Sequence, residues 1–318
     1  MKIKNKLSFV LCLSVIAIGV ASAVTSIFIA RNKVKINYIE TQEDLFKINE
    51  QLDGYYVINS KSSIVVDKPW IPIGTEENPF TGHIEGNYKS IILSGGYDIN
   101  HINSISSNSV LNLGFIGVNK GTVIHLNVKD AGIENFAWSS LENKVNLNYG
   151  IVSAVNNGYI TGCKTAANPI NINSNINSAN IGGICGINKS QIQGCSAVST
   201  LNITTNCESN VAAICGLQEH SGVIKYCYRS GELQLNLGLN SNSALCIGLC
   251  KGGDIGNIGL SSDDEKPVKV NLTSESRSAG ALIGKADLTD NLTVSNIVAD
   301  ISLTSEKCLN SFGFICGE

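Results

Sequence analysis

Charge is scarce in this sequence. Only 15% of its 318 residues are Asp, Glu, Lys or Arg, and the formal net charge is −3. Nucleic-acid binding needs Lys/Arg patches that neutralise phosphates, so this balance excludes it as a leading reading. Few charges also leave few candidates for acid–base chemistry. Aromatics make up 6%, and the four histidines (His83, His101, His125 and His220) are scattered. There is no His-Glu-x-x-His, no Gly-x-Ser-x-Gly elbow and no phosphate loop. Convincing helical periodicity is missing from most of the chain. In their place the sequence has 43% apolar residues, 31 Gly, 11 Cys and 37 Asn, at a length that can bury a large core. This composition points to a structural or binding protein and not to an enzyme.

The first thirty residues read as a membrane anchor or a signal peptide. Lys2, Lys4 and Lys6 precede an uncharged stretch from Leu7 to Ala30, and Arg31, Lys33 and Lys35 come after it. Such a stretch spans ~36 Å as a helix, enough to cross a ~30 Å hydrocarbon core. A secretory signal would be shorter in its apolar region and would end at a small-residue site, which Ala21-Ser22-Ala23 offers. Cleavage there would leave an apolar mature start, so an uncleaved anchor through residues 7–30 is the expectation, with secretion after Ala23 as the alternative. Either way the remainder is expected outside the membrane.

An internal repeat organises the rest of the chain. Gly182-Gly183-Ile184-Cys185-Gly186-Ile187-Asn188 has relatives ending in a small residue at 117, 154, 186, 216, 248, 284 and 317, in steps of 30 to 37 residues. After each of the first six comes an apolar pair spaced three apart: Val123/Leu126, Ile160/Cys163, Ile192/Cys195, Ile224/Cys227, Ile255/Ile258 and Val294/Ile297. A flat strand puts residues two apart on one face, so a spacing of three implies a bend. A third segment alternates cleanly, as in Leu233/Leu235/Leu237. Each repeat therefore reads as three short strands joined by corners rich in Gly, Asn and Ser.

Stacked many times, such a unit is one turn of a parallel β-helix, expected to be right-handed. The expected fold class is thus all-β, a solenoid of three-strand coils with a short N-terminal capping helix and an N-terminal hydrophobic helix. One turn cannot bury its apolar face alone, and stacking at ~4.8 Å makes a continuous interior. Asn119, Asn156 and Asn188, each two residues past an anchor, suggest an amide ladder at a corner where Asn tolerates left-handed backbone. Gln218 replaces it in the next turn, and later turns lose it. Thr41 is placed to cap a short helix carrying Leu45, Ile48 and Leu52, which would cover the first turn. No cap is visible at the other end, which points either to a truncated gene product or to a stacking partner there. The organisation is an N-terminal segment (1–30), a cap with first coils (31–112) and β-helix repeats (113–318).

The anchor segments, with the Gly-x-Ile-x-x-Cys run of Gly158 to Cys163, resemble the GLUG repeats of bacterial surface proteins. Trp70-Ile71-Pro72-Ile73-Gly74 and Glu85-Gly86-Asn87-Tyr88 resemble the segment that precedes such repeats. The resemblance covers about residues 40–318. It departs where Ala154 and Ala212 stand for anchor glycines. It implies an exported β-helical protein without implying one activity: some relatives are adhesin-like, and others carry the repeats beside a peptidase domain.

Candidate sites are few. Cys163, Cys195 and Cys227 sit at equivalent places in adjacent turns, as do Cys185, Cys215 and Cys316, and core packing accounts for them better than disulfides or metal. Asp263-Asp264-Glu265 reads as a solvated loop, with a weak calcium site as the lesser reading. The loop containing Phe136 and Trp138 is the candidate ligand-binding element, since an aromatic pair can anchor a glycan or a protein, although packing of both rings over the tube wall is the leading reading of the pair. Tyr226 and Tyr228, which flank Cys227, should point outward. No catalytic residue, cofactor or metal is expected. The expected role is a non-catalytic surface scaffold, structural or adhesive. A polysaccharide-acting enzyme using one wall, or an inactive fragment of a larger repeat protein, is the alternative.

Overall fold

The computed structural model describes residues 35–98, 100, 110–130, 144–167, 170–172, 176–198, 201–230, 233–238, 240–260, 268–272, 278–288, 290–299, 301–305, 311–313 and 315–317. The protein is an all-β parallel solenoid, in which strands pair between successive turns. One turn shows the plan: Val145–Gly150, Ser153–Asn156, Tyr159–Thr161, Lys164–Ala167 and Ile170–Ile172 succeed one another around the tube. Each belongs to its own stack. The first, second and fifth stacks form separate sheets of seven, six and five strands. The third and fourth form one fifteen-stranded sheet, because Gly253–Leu260 and Leu292–Ala299 each run through both. A repeat therefore makes five short strands and not three. The period-two patterning locates the apolar faces, but many of the corners that divide them are only two residues long, as at Ile151-Val152, Asn157-Gly158 and Gly162-Cys163.

Inward positions pile up as expected. Tyr56, Ile84, Val123, Ile160, Ile192, Ile224 and Ile255 are in register on successive turns and are at most 3% exposed. Full burial of one such aliphatic side chain is worth roughly 1.5–3 kcal/mol, so the column is a major source of cohesion between turns. Val294, next in the column, differs from its expected burial and is 38% exposed, because no described strand stacks beyond it.

The spacing of three has a specific cause. Two residues after the first member of each pair, the chain takes the left-handed conformation: His125, Gly162, Gly194, Tyr226, Asn257 and Asn296 all have φ between 53° and 64°. One such residue turns the third stack into the fourth and brings the third position inward again. Gly and Asn adopt this backbone at little cost. The bend also explains the cysteines. The Cys163 thiol donates to the Thr161 carbonyl, Cys195 to Gln193 and Cys227 to Lys225, at 3.5, 3.3 and 3.4 Å. A weak S–H donor thus serves a carbonyl that the bend turns toward the interior. In the second stack, Ser153, Cys185 and Cys215 each donate to the carbonyl two residues on, so Ser and Cys interchange in that slot. The nine described cysteines are free thiols.

The amide ladder forms inside the tube. Asn119 Nδ2 donates to Asn156 Oδ1 (2.8 Å), Asn156 Nδ2 to Asn188 Oδ1 (2.9 Å), and Asn188 Nδ2 to Gln218 Oε1 (3.4 Å). These residues are buried and end strands of the second stack. They do not take the left-handed backbone expected of them, which belongs to the bend. Their amides instead hold corner N–H groups, as Asn156 Oδ1 does for Gly158. The structure adds a second ladder. Asn148, Asn180, Asn210 and Asn242 each donate to the asparagine one turn earlier, starting at Asn112, at 2.8–2.9 Å.

At the N-terminal end, Thr41 caps a single helical turn, α1 (Gln42–Phe46), with Asp44 completing the capping box. A 3-10 turn over Lys47–Glu50 comes next, so the α-helix ends well short of Leu52. Leu45 and Ile48 are fully buried against the first coils. Trp70 stacks on Phe115 at 5.3 Å and donates Nε1–H to the Gly114 and Phe115 carbonyls. Arg229 is an inward charge, in register with Ala197 and Leu260, and donates Nη1 to the Ala197 carbonyl at 3.0 Å. Burial pushes its pKa down to about 10, so it remains protonated. Among the described residues no helix is long and apolar enough to cross a membrane. The apolar segment 7–30 lies outside those residues.

Candidate functional site

The most developed side-chain constellation stands on the outer face of the third stack. One outward column runs Tyr55, His83, Thr122, Tyr159 and Gln191, one residue per turn. Register sets Tyr55 beside His83, and their rings lie face to face with centroids 4.3 Å apart and 7° between planes. A second pair stands at the bend. Tyr88 and His125 stack at 4.6 Å, and both have positive φ, 56° and 53°. That backbone costs a non-glycine residue roughly 1–2 kcal/mol, and at the bend the other described turns place Gly or Asn, apart from Tyr226. Aromatic side chains are thus held at this corner against a conformational cost, offset in part by ring stacking.

Glu85 joins the two pairs. Its carboxylate accepts from His125 Nδ1 at 3.2 and 3.3 Å, an acceptor-only partner that assigns the proton to Nδ1. A carboxylate-oriented imidazole is the arrangement of a general base. Here, however, His125 Nε2 is enclosed and has no hydrogen-bond partner. The ring lies against Gly162, where an added Cβ would come within 2.7 Å of Cδ2. The pair is therefore built to pack, and its free nitrogen does not reach a substrate. His83 Nε2 is likewise buried without a partner. Burial pushes the His83 pKa down to about 4, against the upward pull of Glu85 and with a further push from His125. Burial and the Glu85 charge push the Tyr55 hydroxyl up to about 12, so it stays protonated.

This predicts a pH dependence. A histidine with a depressed folded-state pKa stabilises the fold fully above its unfolded value of ~6.5, and that stability is lost as pH falls toward the folded value. Between pH 7 and pH 4.5 the His83 contribution should fall by about 2 kcal/mol. Comparing urea midpoints of wild type and His83→Phe, which keeps the stack on Tyr55, measures it. Equal pH slopes in the two proteins would refute the assignment.

The side chains this wall offers to solvent are tyrosines. Tyr88 is 59% exposed, Tyr159 49%, and Tyr38, two rungs before Glu85 in the other outward column, 58%. Farther along, Tyr226 and Tyr228 are half-buried. Charged groups pair across turns there, Lys225 with Asp254 and Glu219 with Lys251 (3.4 Å), and Glu219 also meets its chain neighbour His220 (3.7 Å). Among the described residues no group of three His, Cys, Asp or Glu is placed to hold a metal ion.

The expected ligand-binding loop with Phe136 and Trp138, and the acidic run Asp263-Asp264-Glu265, lie outside the described residues. Scattered along the sequence, the histidines do not stay so in space: the fold brings His83 and His125 onto one wall. The sequence carries a signal for this, since Tyr55, His83 and Tyr159 each stand immediately before an inward residue of the same column. No family model matches the chain, and no curated protein or solved structure matches it either.

Proposed function

We propose that this protein is an exported, membrane-tethered, non-catalytic scaffold. Its solenoid holds a rigid wall at the cell surface and binds a glycan or protein ligand through the tyrosines of the third stack. One observation carries this reading: Tyr88 is kept solvent-exposed on a strained backbone, on a wall locked from within by an unbroken apolar column and an amide ladder. Flat aromatic faces on a rigid support lose little entropy on binding, which suits adhesion. The resemblance to GLUG repeats and the apolar N-terminal segment support the surface location. The Phe136/Trp138 loop is a second contact point within the same reading.

The test is binding of the full-length chain to arrays of host and microbial glycans and matrix proteins. Tyr88→Ala with Tyr159→Ala should weaken the strongest binder by about tenfold or more. Trp138→Ala separates the loop's share from that of the wall. Binding unchanged in both variants, or cleavage of a bound polysaccharide, would overturn the proposal.

A further inference from the structure

Past the bend that follows Tyr88, the fourth stack receives one lysine from each of four successive turns. Lys61 precedes the strand Ile64–Val66, Lys89 precedes Ser90–Leu93, Lys129 lies within Asn127–Asp130, and Lys164 opens Lys164–Ala167. These strands pair in that order, so the four turns are neighbours. Ile64, Ile91, Val128 and Thr165 are in register and buried, which makes theirs the inward line. Lys129 and Lys164 hold the alternate positions and face out. Lys61, Lys129 and Lys164 are exposed, and Lys89 is half-buried. At ~4.8 Å per turn the row is about 15 Å long. It ends where Ser196 and then Tyr228 take the place of Lys164.

The row has no counter-charge. Among the described residues none of its four lysines is in an ion pair, whereas Lys225 on the same sheet meets Asp254, and Lys47, Lys68 and Lys251 each meet a carboxylate. The carboxylates nearest Lys61, Lys89 and Lys129 in the chain are engaged or placed elsewhere. Glu85 accepts from His125 Nδ1 and from the Asn87 amide (2.8 Å) on the third stack. Asp67 follows the far end of Ile64–Val66, and Asp130 is in register with the buried Leu93. Like charges one turn apart repel, and a face that needed only solubility would be better served by both signs interspersed. At the edge of the row stands Tyr88, 59% exposed, whose carbonyl accepts from Asn127 Nδ2 at 2.6 Å. Asn127 in turn is in register with Lys164, so the tyrosine is tied to the row.

We infer that this row is a binding track for a linear anionic glycan, whose carboxylate or sulfate groups face the lysines while one sugar lies on Tyr88. The inference rests on the surface-binding reading above and names its ligand class. Lysine offers a mobile point charge without the rigid fork of arginine, which suits acid groups on a flexible polymer. One charge per turn, repeated along the axis, fits a chain that repeats its own acid group from sugar to sugar. A nucleic-acid strand would call for a series of aromatics to stack successive bases, and this row has one.

The test is binding of the full-length chain, in a non-ionic detergent, to polygalacturonate, dextran sulfate, uncharged dextran and a single-stranded oligothymidylate. At least one charged glycan should bind, with an affinity that falls as salt rises, and uncharged dextran should not. Which of the two binds tells carboxylate from sulfate. Lys129→Gln/Lys164→Gln should weaken that binding by about tenfold or more. Lys120→Gln/Lys189→Gln, an equal loss of charge from exposed lysines at another corner, should weaken it by about twofold at most. No binding of either anionic glycan, tighter binding of the oligothymidylate, or equal losses in the two lysine pairs would each overturn the inference. The tyrosine reading fails on a different result, an array ligand indifferent to Tyr88→Ala with Tyr159→Ala and to Trp138→Ala.

Discussion

Replacing Asn156 with alanine is expected to destabilise the solenoid by about 4 kcal/mol, because two buried donors lose their acceptor at once. Asn156 Oδ1 accepts from Asn119 Nδ2 and from the Gly158 amide, and its own Nδ2 donates to Asn188 Oδ1 and the Gln191 carbonyl. The residue is fully buried, so water does not replace these partners. Each orphaned buried donor costs about 1–3 kcal/mol. The comparison is Asn180→Ala in the second ladder, where Asn180 and its donor Asn210 are half-buried and its acceptor Asn148 is buried. There water substitutes, and the expected cost is about 1 kcal/mol. Urea unfolding of the two variants checks the contrast. Equal losses would show that the inner ladder owes nothing special to its burial.

The second large effect is expected at Gly216. A Cβ there would stand 2.5 Å from the Ile181 amide nitrogen, 2.8 Å from the Asn180 carbonyl carbon and 2.9 Å from the Gly186 carbonyl oxygen. All three are backbone atoms held in ladders on both sides, so no flexible side chain can move aside. Gly216→Ala should cost about 3 kcal/mol or more, at the upper end of overpacking effects. Because each turn touches only its neighbours, the damage should be local. Hydrogen exchange should accelerate first in the strands Ile176–Gly182 and Cys185–Asn188 and in their partners on the next turn. Uniform acceleration along the whole tube would contradict a nearest-neighbour solenoid.

Gly216 also shows how far the sequence can be read. Its recurrence with Gly186 and Gly248 is plain as a period, and the period implies stacking. Why it must be glycine is not readable, because the atoms it would strike belong to strands thirty or more residues away. The Asn119–Asn156–Asn188 ladder is legible for the same reason of period, but its backbone is not the one its residue type suggests. Asparagine's tolerance of the left-handed region is a local preference, and here the local preference yields to a buried hydrogen-bonded role. The ladder from Asn112 to Asn242 is harder to find, although four of its members stand six residues before Ala154, Gly186, Gly216 and Gly248. Its asparagines sit in segments with varied neighbours, in a chain where asparagine is common everywhere.

The number of strands escapes a sequence reading because a bend made by a single left-handed residue leaves no gap in an apolar pattern. Position 162 or 194 is visible as glycine, yet in other turns the same place is held by His125, Tyr226 or Asn257, which share no obvious propensity. The wall carrying Tyr55, His83, Glu85, Tyr88 and His125 is equally hidden. Its members come from three turns of unequal length, separated by 28 and 42 residues along the outward column and bend.

By itself the sequence settled the class of the molecule: aliphatic residues recurring at fixed offsets are buried together only if the turns stack, and alternation allows only strands. The tertiary structure decided which outward residue neighbours which, since that depends on how many residues each turn spends in its corners. A difference of one or two there shifts every cross-turn neighbour while leaving the inward pattern intact. That is why the interior could be read along the chain, whereas the stacked rings and the enclosed imidazole nitrogens required coordinates.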